Sequence, residues 1–514
     1  MTSSKTRRNG IALAAVCLAS LMFGLEISSV PTILPTLETV LHADFQQLQW
    51  IMNAYTIAVT TVLMATGSLA DRYGRKGVFV AGIIVFGFAS LICGLSQDVL
   101  VLILSRFLQG MSGGAMLICQ VAVLSHQFRE GAERSRAFAA WGIIFGIGLG
   151  FGPIIGAAIV ALSDWHWVFL IHAVIAVVTT ILAGVGVRES RDPDAKTVDL
   201  AGIVTLSASV FCVTFYITQG PDLGFSSPLA LAIIAIAGVS FVAFVLAEQR
   251  NARPMFDFSV LRIRNFSGAL LGSMGMNFSF WPFMIYLPIF FRSALGYGNV
   301  AAGLALLTYT LPTLVIPPLG ERLLLRFGGR IAIPTGLFVI GLGFMLMRAG
   351  SGVEHPGWLT LLPGCLLAGI GLGLTNTTVT NTTTGAVPST RAGMASGIDM
   401  SARMISLAIN IALMGFILVA GISSRLAQSL PGVLGATRLQ QLAERIAGGA
   451  IGMSDFPELN SLPSSDLAFQ AALMHGFGLV MLYGGVSVWI LALSSFLVFG
   501  REARLRGSSA ATGR

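Results

Sequence analysis

Apolar runs of about 20 residues, long enough to cross a bilayer as helices, recur along the whole chain. Fourteen can be counted, starting near residues 11, 50, 78, 99, 138, 166, 200, 228, 266, 300, 331, 357, 395 and 471. Of the 514 residues, 55% are apolar and only 11% are charged, against roughly 25% charged in soluble domains. The chain therefore reads as an all-α integral membrane protein. Its start, MTSSKTRRNG before an apolar run, looks like a signal peptide, but the run is too long and many spans follow; it reads as a first span that is not cleaved. The five cysteines stand singly in apolar runs, with no disulfide or metal-site spacing.

The net charge of +8 is a topology signal. With fourteen spans, the N-terminus, the even-numbered loops and the C-terminus carry 24 of the 31 Lys and Arg. The odd-numbered loops carry only Arg292, Arg348, Arg425, Arg438 and Arg445, and two arginines, Arg106 and Arg403, lie inside spans. The excess of basic residues in one set of loops places both termini in the cytoplasm and removes nucleic acid as the reason for the basic balance.

Two cytoplasmic loops are longer than the rest, at 188–199 and 247–265. They divide the chain into an N-terminal six-helix unit (1–187), a middle section of linkers and two inserted spans (188–265), and a C-terminal six-helix unit (266–500). A cytoplasmic tail (501–514) follows. The longest loop, about 421–470, is extracytoplasmic and contains LQQLAERIA, which reads as a short amphipathic surface helix. DRYGRK (71–76) after span two matches LRFGGR (325–330) after span ten at an offset of 254 residues. The same offset lays span one on span nine, as expected for parallel repeats in secondary transporters.

Charges inside spans are expensive and mark function. Glu26, in FGLEISSVP, is the sole formal charge between Ile11 and Leu37. With Arg106 it forms the pair of buried charges of the first half, best placed together in a central cavity. There burial and a cation pull a carboxyl in opposite directions, the balance that proton titration or cation recognition needs. Packing alone is the competing reading. Asp399 and Arg403 are spaced i,i+4 on one helix face and read as a local ion pair or as a coupling element. Gly67, Asp71, Arg72, Gly74, Arg75 and Lys76 form a basic turn after span two; its acid can accept hydrogen bonds from a helix N-terminus or pair with an arginine.

Gly142, Gly146, Gly148, Gly150, Gly152 and Gly156 crowd one span, which Pro153 invites to bend. That span reads equally as a packing interface or as a moving part. Asn277, Trp281, Tyr286 and Asn376 combine aromatic and polar groups as a lipophilic-substrate cavity would, although packing explains the aromatics as well. No phosphate-binding GxxxxGK[ST] loop, metal-ligand set or Ser/His/Asp constellation is present, so neither an enzyme, a cofactor nor a metal is expected.

GSLADRYGRK (67–76) resembles the signature loop of the major facilitator superfamily. LSRFLQGMSGGA (104–115) is similar to its helix-four motif, with Arg106 as the buried arginine. GLGFGPIIGA (148–157), with Gly148, Gly152, Pro153 and Gly156, is similar to the helix-five antiporter motif. SDWHWVFLIH (163–172) resembles the start of helix six in the fourteen-helix drug:proton antiporter branch (EmrB/QacA-like), with His166 and His172 where arginine and asparagine are usual. The resemblance implies a major facilitator fold of two six-helix bundles plus two inserted helices. It implies proton-driven export of lipophilic or cationic compounds from the cell inner membrane, in a monomer, with a periplasmic adaptor as an optional partner. It also implies that the Asp71 turn stabilises the closed cytoplasmic side and that the helix-five motif forms a close interface with the other half. The alternatives are a dedicated exporter of an endogenous metabolite such as a siderophore, and an uptake symporter.

Overall fold

In the computed structural model the described residues are 2–43, 45–128, 131–191, 199–251, 256, 258–388, 391–429, 435–447 and 465–500. Their regular structure is all helical, with no strand among them. The first eight helices are α1 (Thr2–Leu41), α2 (Phe45–Tyr73), α3 (Arg75–Leu95), α4 (Val99–Gln127), α5 (Gly131–Leu162), α6 (His166–Gly186), α7 (Leu200–Leu223) and α8 (Pro228–Arg250). The ninth span is assembled from α9 (Arg264–Asn277) and α10 (Phe280–Ile289), and the tenth from α11 (Asn299–Thr310), α12 (Pro312–Val315) and α13 (Pro317–Phe327). There follow α14 (Gly329–Ser351), α15 (Trp358–Gly385), α16 (Ala392–Ser429), α17 (Ala436–Ala447) and α18 (Ser465–Phe499). Among the described residues twelve helices are long and apolar enough to cross a membrane, and fourteen when each of two bent pairs is taken as one span. The fourteen-span expectation is met on that count.

The bent pairs are the second and tenth spans, broken by 52° between Leu63 and Ala65 and by 42° between Val315 and Pro317. Pro317 and Pro318 explain the second break, since proline cannot donate the helical hydrogen bond. In α2 the hydroxyls of Thr60 and Thr61 donate back to the carbonyls of Thr56 and Ile57 at 2.8 and 2.7 Å, a pattern that bends helices. The two bends stand at corresponding places under the 254-residue offset. So do Gly74 (φ 109°) and Gly328 (φ 78°), which turn α2 into α3 and α13 into α14. Both φ values lie where a side chain is strained.

Each half has its own core. Phe23, Phe79, Phe86, Phe138 and Trp141 pack the first, and Phe280, Phe283, Phe290, Phe344 and Phe477 the second. Helices α7 and α8 are joined by the Ser209 hydroxyl, which donates to the Ala237 carbonyl at 3.0 Å. They lean on α2, where Ser207 donates to the Thr61 carbonyl at 3.1 Å and Trp50 meets Phe215. Leu229, Ile236, Val239, Phe241 and Val242 of α8 face outward, as apolar side chains do in lipid.

One boundary differs from the sequence reading. Helix α16 runs to Ser429, well past the expected loop start at 421, because Ile422 and Leu426 are fully buried in the C-terminal core. LQQLAERIA forms α17, with Leu442, Ala443 and Ile446 buried against that core. The remainder of the loop, 430–434 and 448–464, and the tail 501–514 lie outside the described residues.

Candidate functional site

Glu26 is fully buried, and Arg106, 1% exposed, donates through Nη1 to its Oε1. The guanidinium is held from three further directions. Nε donates to the Ile51 carbonyl at 3.0 Å, Nη1 to Gln109 Oε1 at 2.8 Å, and the Tyr55 ring lies 4.4 Å from the guanidinium carbon. Gln109 in turn donates to Ser90 at 2.8 Å, so α1, α2, α3 and α4 meet at one polar knot. The second carboxylate oxygen, Oε2, has no hydrogen-bond partner among the described residues. His172 Nδ1 stands 3.4 Å from it while donating to the Val168 carbonyl at 2.9 Å. The pair expected from sequence exists. It sits, however, inside the N-terminal half, where every partner belongs to α1–α4 or α6, and not in a cavity between halves. The small residues explain this: Gly110 and Gly114 let α4 approach α2 so closely that a Cβ on Gly110 would lie 2.4 Å from the Tyr55 carbonyl oxygen.

The second half has a counterpart. Asp399 is fully buried and pairs with Arg403 one turn on, Nη2 to Oδ2 at 3.3 Å. The pair is not merely local. Ser273 of α9 donates to Asp399 Oδ1, and Arg403 reaches α15 through Asn376 Oδ1 at 2.6 Å and Thr380 Oγ1 at 2.7 Å. Asn376 therefore serves the ion pair. It also lines, with Gly142, Gly146, Trp281, Thr313 and Pro317, a small cavity between the halves. Of the other two proposed cavity residues, Asn277 donates to the Ser273 carbonyl at 2.9 Å and Tyr286 to the Ile411 carbonyl at 2.6 Å. Neither lines that cavity: the Asn277 amide bonds back within α9, and the Tyr286 hydroxyl ties α10 to α16.

At the end of α2 the Asp71 carboxylate accepts from Arg75 Nη2 at 2.8 Å and from the backbone N–H of Met394, near the start of α16, at 3.1 Å. A Cβ on Gly67 would lie 2.8 Å from the Gly393 carbonyl oxygen. This turn thus fastens the two halves together. Arg75 is 1% exposed, and it is the arginine with which Asp71 pairs; Arg72 and Lys76 are half-buried. The sequence missed Glu189, which accepts from the backbone N–H groups of Lys76 and Gly77 at 3.1 and 3.2 Å and clamps the start of α3.

The glycines of α5 divide between two faces. Gly142, Gly146 and Gly150 meet Thr377, Thr313 and Thr310 of the other half. Gly148 and Gly152 meet α1 of their own half, a Cβ on Gly148 lying 2.9 Å from the Leu21 carbonyl oxygen and one on Gly152 only 1.8 Å from Ser28 Oγ. The Ser28 hydroxyl donates to the Gly148 carbonyl at 2.9 Å. The expectation of a motif facing the other half is corrected here for Gly148 and Gly152: a two-residue shift along a helix turns the side-chain direction by about half a circle. Gly156 is buried in the same helix, and the side chain of Pro153 lies outside the described residues.

A further network escaped the sequence reading. Glu321 of α13 is 2% exposed, and its Oε2 accepts from Asn381 Nδ2 at 2.7 Å. Asn381 Oδ1 accepts from Arg134 Nε of α5 at 2.6 Å, and Arg134 Nη2 donates to Thr384 at 2.8 Å. The available signal was one acid beside two arginines in GERLLLRF, which was not singled out from the sequence; the helix restarted at Pro317 carries it inward.

Among known proteins, the sequence profile described as Major Facilitator Superfamily matches residues 16–411. The chain is 29% identical over 416 residues to the multidrug resistance protein Stp of Mycobacterium tuberculosis, covering 81% of this chain and 77% of that one. It is 27% identical over 508 residues to the tetracenomycin C resistance and export protein of Streptomyces glaucescens, covering 96% and 91%. It is 28% identical over 408 residues to the quinolone resistance protein NorB of Staphylococcus aureus, covering 79% and 88%. The crystal structure of the human organic anion transporter MFSD10 shares the fold, with a TM-score of 0.61 at 14% identity over 96% of this chain and 99% of that one.

Proposed function

The chain belongs to the Major Facilitator Superfamily, and from that premise we propose that it is a proton-coupled exporter of lipophilic or cationic compounds. It is a transporter and not an enzyme. The names of its relatives, which include multidrug and quinolone resistance proteins, support the substrate class. The observation that carries the coupling is Glu26: a fully buried carboxylate with one oxygen on Arg106 and the other without a hydrogen bond. An acid so placed has room for one proton on a defined atom.

In this reading the halves 1–187 and 266–500 rock around a central site, with the helices of 188–265 at the periphery. The Asp71 turn and its contact with Met394 and Gly393 hold the cytoplasmic side closed, and Glu26 exchanges a proton for substrate. Asp399 and Arg403 form the second charged element, and Trp281 and Asn376 face the substrate path. The basic loops support an orientation with both termini in the cytoplasm, in the inner membrane, and a monomer suffices. A second reading, export of one endogenous metabolite, is favoured by the relative named for tetracenomycin C export, which aligns with 96% of this chain.

The test is substrate-induced proton release from inverted membrane vesicles, with a panel of lipophilic cations and neutral compounds added after a pH gradient is set. Several compounds should dissipate the gradient, and Glu26→Gln should abolish the response while still inserting. A response to a single compound favours the dedicated exporter. No response from the native chain refutes antiport of these compounds.

A further inference from the structure

Glu26, Asp71 and Asp399 each pair directly with an arginine. Glu321 does not. Asn381 stands between it and Arg134, and the arginine is engaged by neutral acceptors: Asn381, Thr384 and the carbonyls of Ser125 and Phe128. Glu321 Oε1 has no hydrogen-bond partner among the described residues. No other described charge faces it. On its own helix Arg322 and Arg326 are exposed. From α5 it meets Arg134 and Ser135, and from α15 Thr377 and Asn381. On α14, Arg330 lies over the Phe496 ring at 4.6 Å. An ionised carboxylate in a dry site is costly when its nearest cation, Arg134, is held off by an amide and only hydroxyls stand beside it, and uptake of a proton removes most of that cost.

The position adds the second half of the case. Arg134 belongs to the N-terminal half, near the start of α5, and Glu321, Asn381 and Thr384 belong to the C-terminal half. The network crosses the same divide as the contact of Asp71 with Met394, with the halves exchanged. Separating them at this end must pull Arg134 off Asn381 and let water reach Glu321.

We propose that Glu321 is a second proton-binding site, one that belongs to the gate: its Oε1 carries a proton while α5 and α13 are closed on each other. When the halves part, the Oε1–H bond breaks and the proton passes to water in the opened vestibule, leaving a hydrated carboxylate. Closure reverses the step. The direction of proton delivery, into the cytoplasm on inward opening, rests on the transport reading above; the protonation-linked closure does not.

The test needs neither substrate nor gradient. Spin labels are placed at Ala132→Cys and Leu325→Cys, both exposed on the two sides of the contact, in the full chain in lipid nanodiscs with Cys17 and Cys212 changed to Ser. Pulsed dipolar spectroscopy then follows the separation from acid to alkaline pH. The closed distance should dominate at acid pH and give way to a longer one at alkaline pH. Glu321→Gln, which cannot ionise, should lose that response, and Glu321→Asp should retain it. A native chain with no pH response, or a Glu321→Gln chain that responds like the native one, overturns the proposal. Should Glu321→Gln fail to fold, infrared spectroscopy of the unlabelled chain decides: a protonated carboxyl C=O band must be present at acid pH and must move in Glu321→Asp. An absent or unmoved band is equally fatal. A chain that exports none of the compounds above still yields a clear result here.

Discussion

Replacing Glu26 by Gln keeps the shape of the side chain and removes its charge. Arg106 is then a buried guanidinium with the Ile51 carbonyl at 3.0 Å, Gln109 at 2.8 Å and the face of Tyr55, but no counter-charge. Removing one partner of a buried ion pair costs about 3–5 kcal/mol. Because three other contacts remain and Gln can still accept a hydrogen bond, Glu26→Gln should sit at the low end, near 3 kcal/mol. Arg106→Met strands the carboxylate and should cost at least as much. Removing both charges together leaves no uncompensated ion, so the double variant should cost no more than either single change. That amounts to a coupling energy of about 3 kcal/mol, the upper end for residues in contact. Denaturant titration of the purified protein in micelles measures all three. Additivity of the single changes to within about 0.5 kcal/mol would show that the two residues are not an energetic unit and refute the reasoning. The same double variant separates structure from function: it should fold, yet fail to release protons on addition of substrate in vesicles. Native-like proton release by the double variant would remove Glu26 from the coupling mechanism.

Gly67→Val places a Cβ 2.8 Å from the Gly393 carbonyl oxygen, and backbone cannot yield as a side chain does. Overpacking of about 1–3 kcal/mol then falls on the closed arrangement of α2 and α16, and disulfide trapping between their ends should slow while overall melting changes little. Gly152→Ala would put its methyl 1.8 Å from Ser28 Oγ; the resulting loss of stability should shrink when Ser28→Ala is added, as a thermal melt of the pair would show. Arg403→Leu leaves Asp399 buried with Ser273 and Thr380 as hydroxyl partners and should destabilise by about 3–5 kcal/mol. Adding Asp399→Asn should recover part of that, measured in the same denaturant titration.

Much of the candidate site was legible because charge in an apolar run is conspicuous. Glu26, Arg106, Asp399 and Arg403 are marked by their surroundings in sequence alone, and the first two find each other across 80 residues. Glu321 was hidden by the opposite circumstance: beside Arg322 and Arg326 a single acid is inconspicuous, and only the helix restarted at Pro317 turns it inward while leaving both arginines exposed. An arginine partner for Asp71 was legible in the turn, but that it is Arg75, drawn under the acid and buried, came only from the packing.

Composition, span length and the distribution of basic residues are properties of the chain taken in order, and they gave the membrane class and an expectation of fourteen crossings and of sidedness before any packing was known. The repeat belongs with them: Gly74 and Gly328, 254 residues apart, adopt the same left-handed turn because the turn is local. Which face each helix shows to which neighbour is not local. It follows from how closely α1, α5, α2 and α4 approach at their glycines and from where the two halves meet. Those distances alone decided that Glu26 is locked to Arg106 inside one half, that Gly148 and Gly152 serve α1, and that Glu321 is buried across from Arg134 with Asn381 between them.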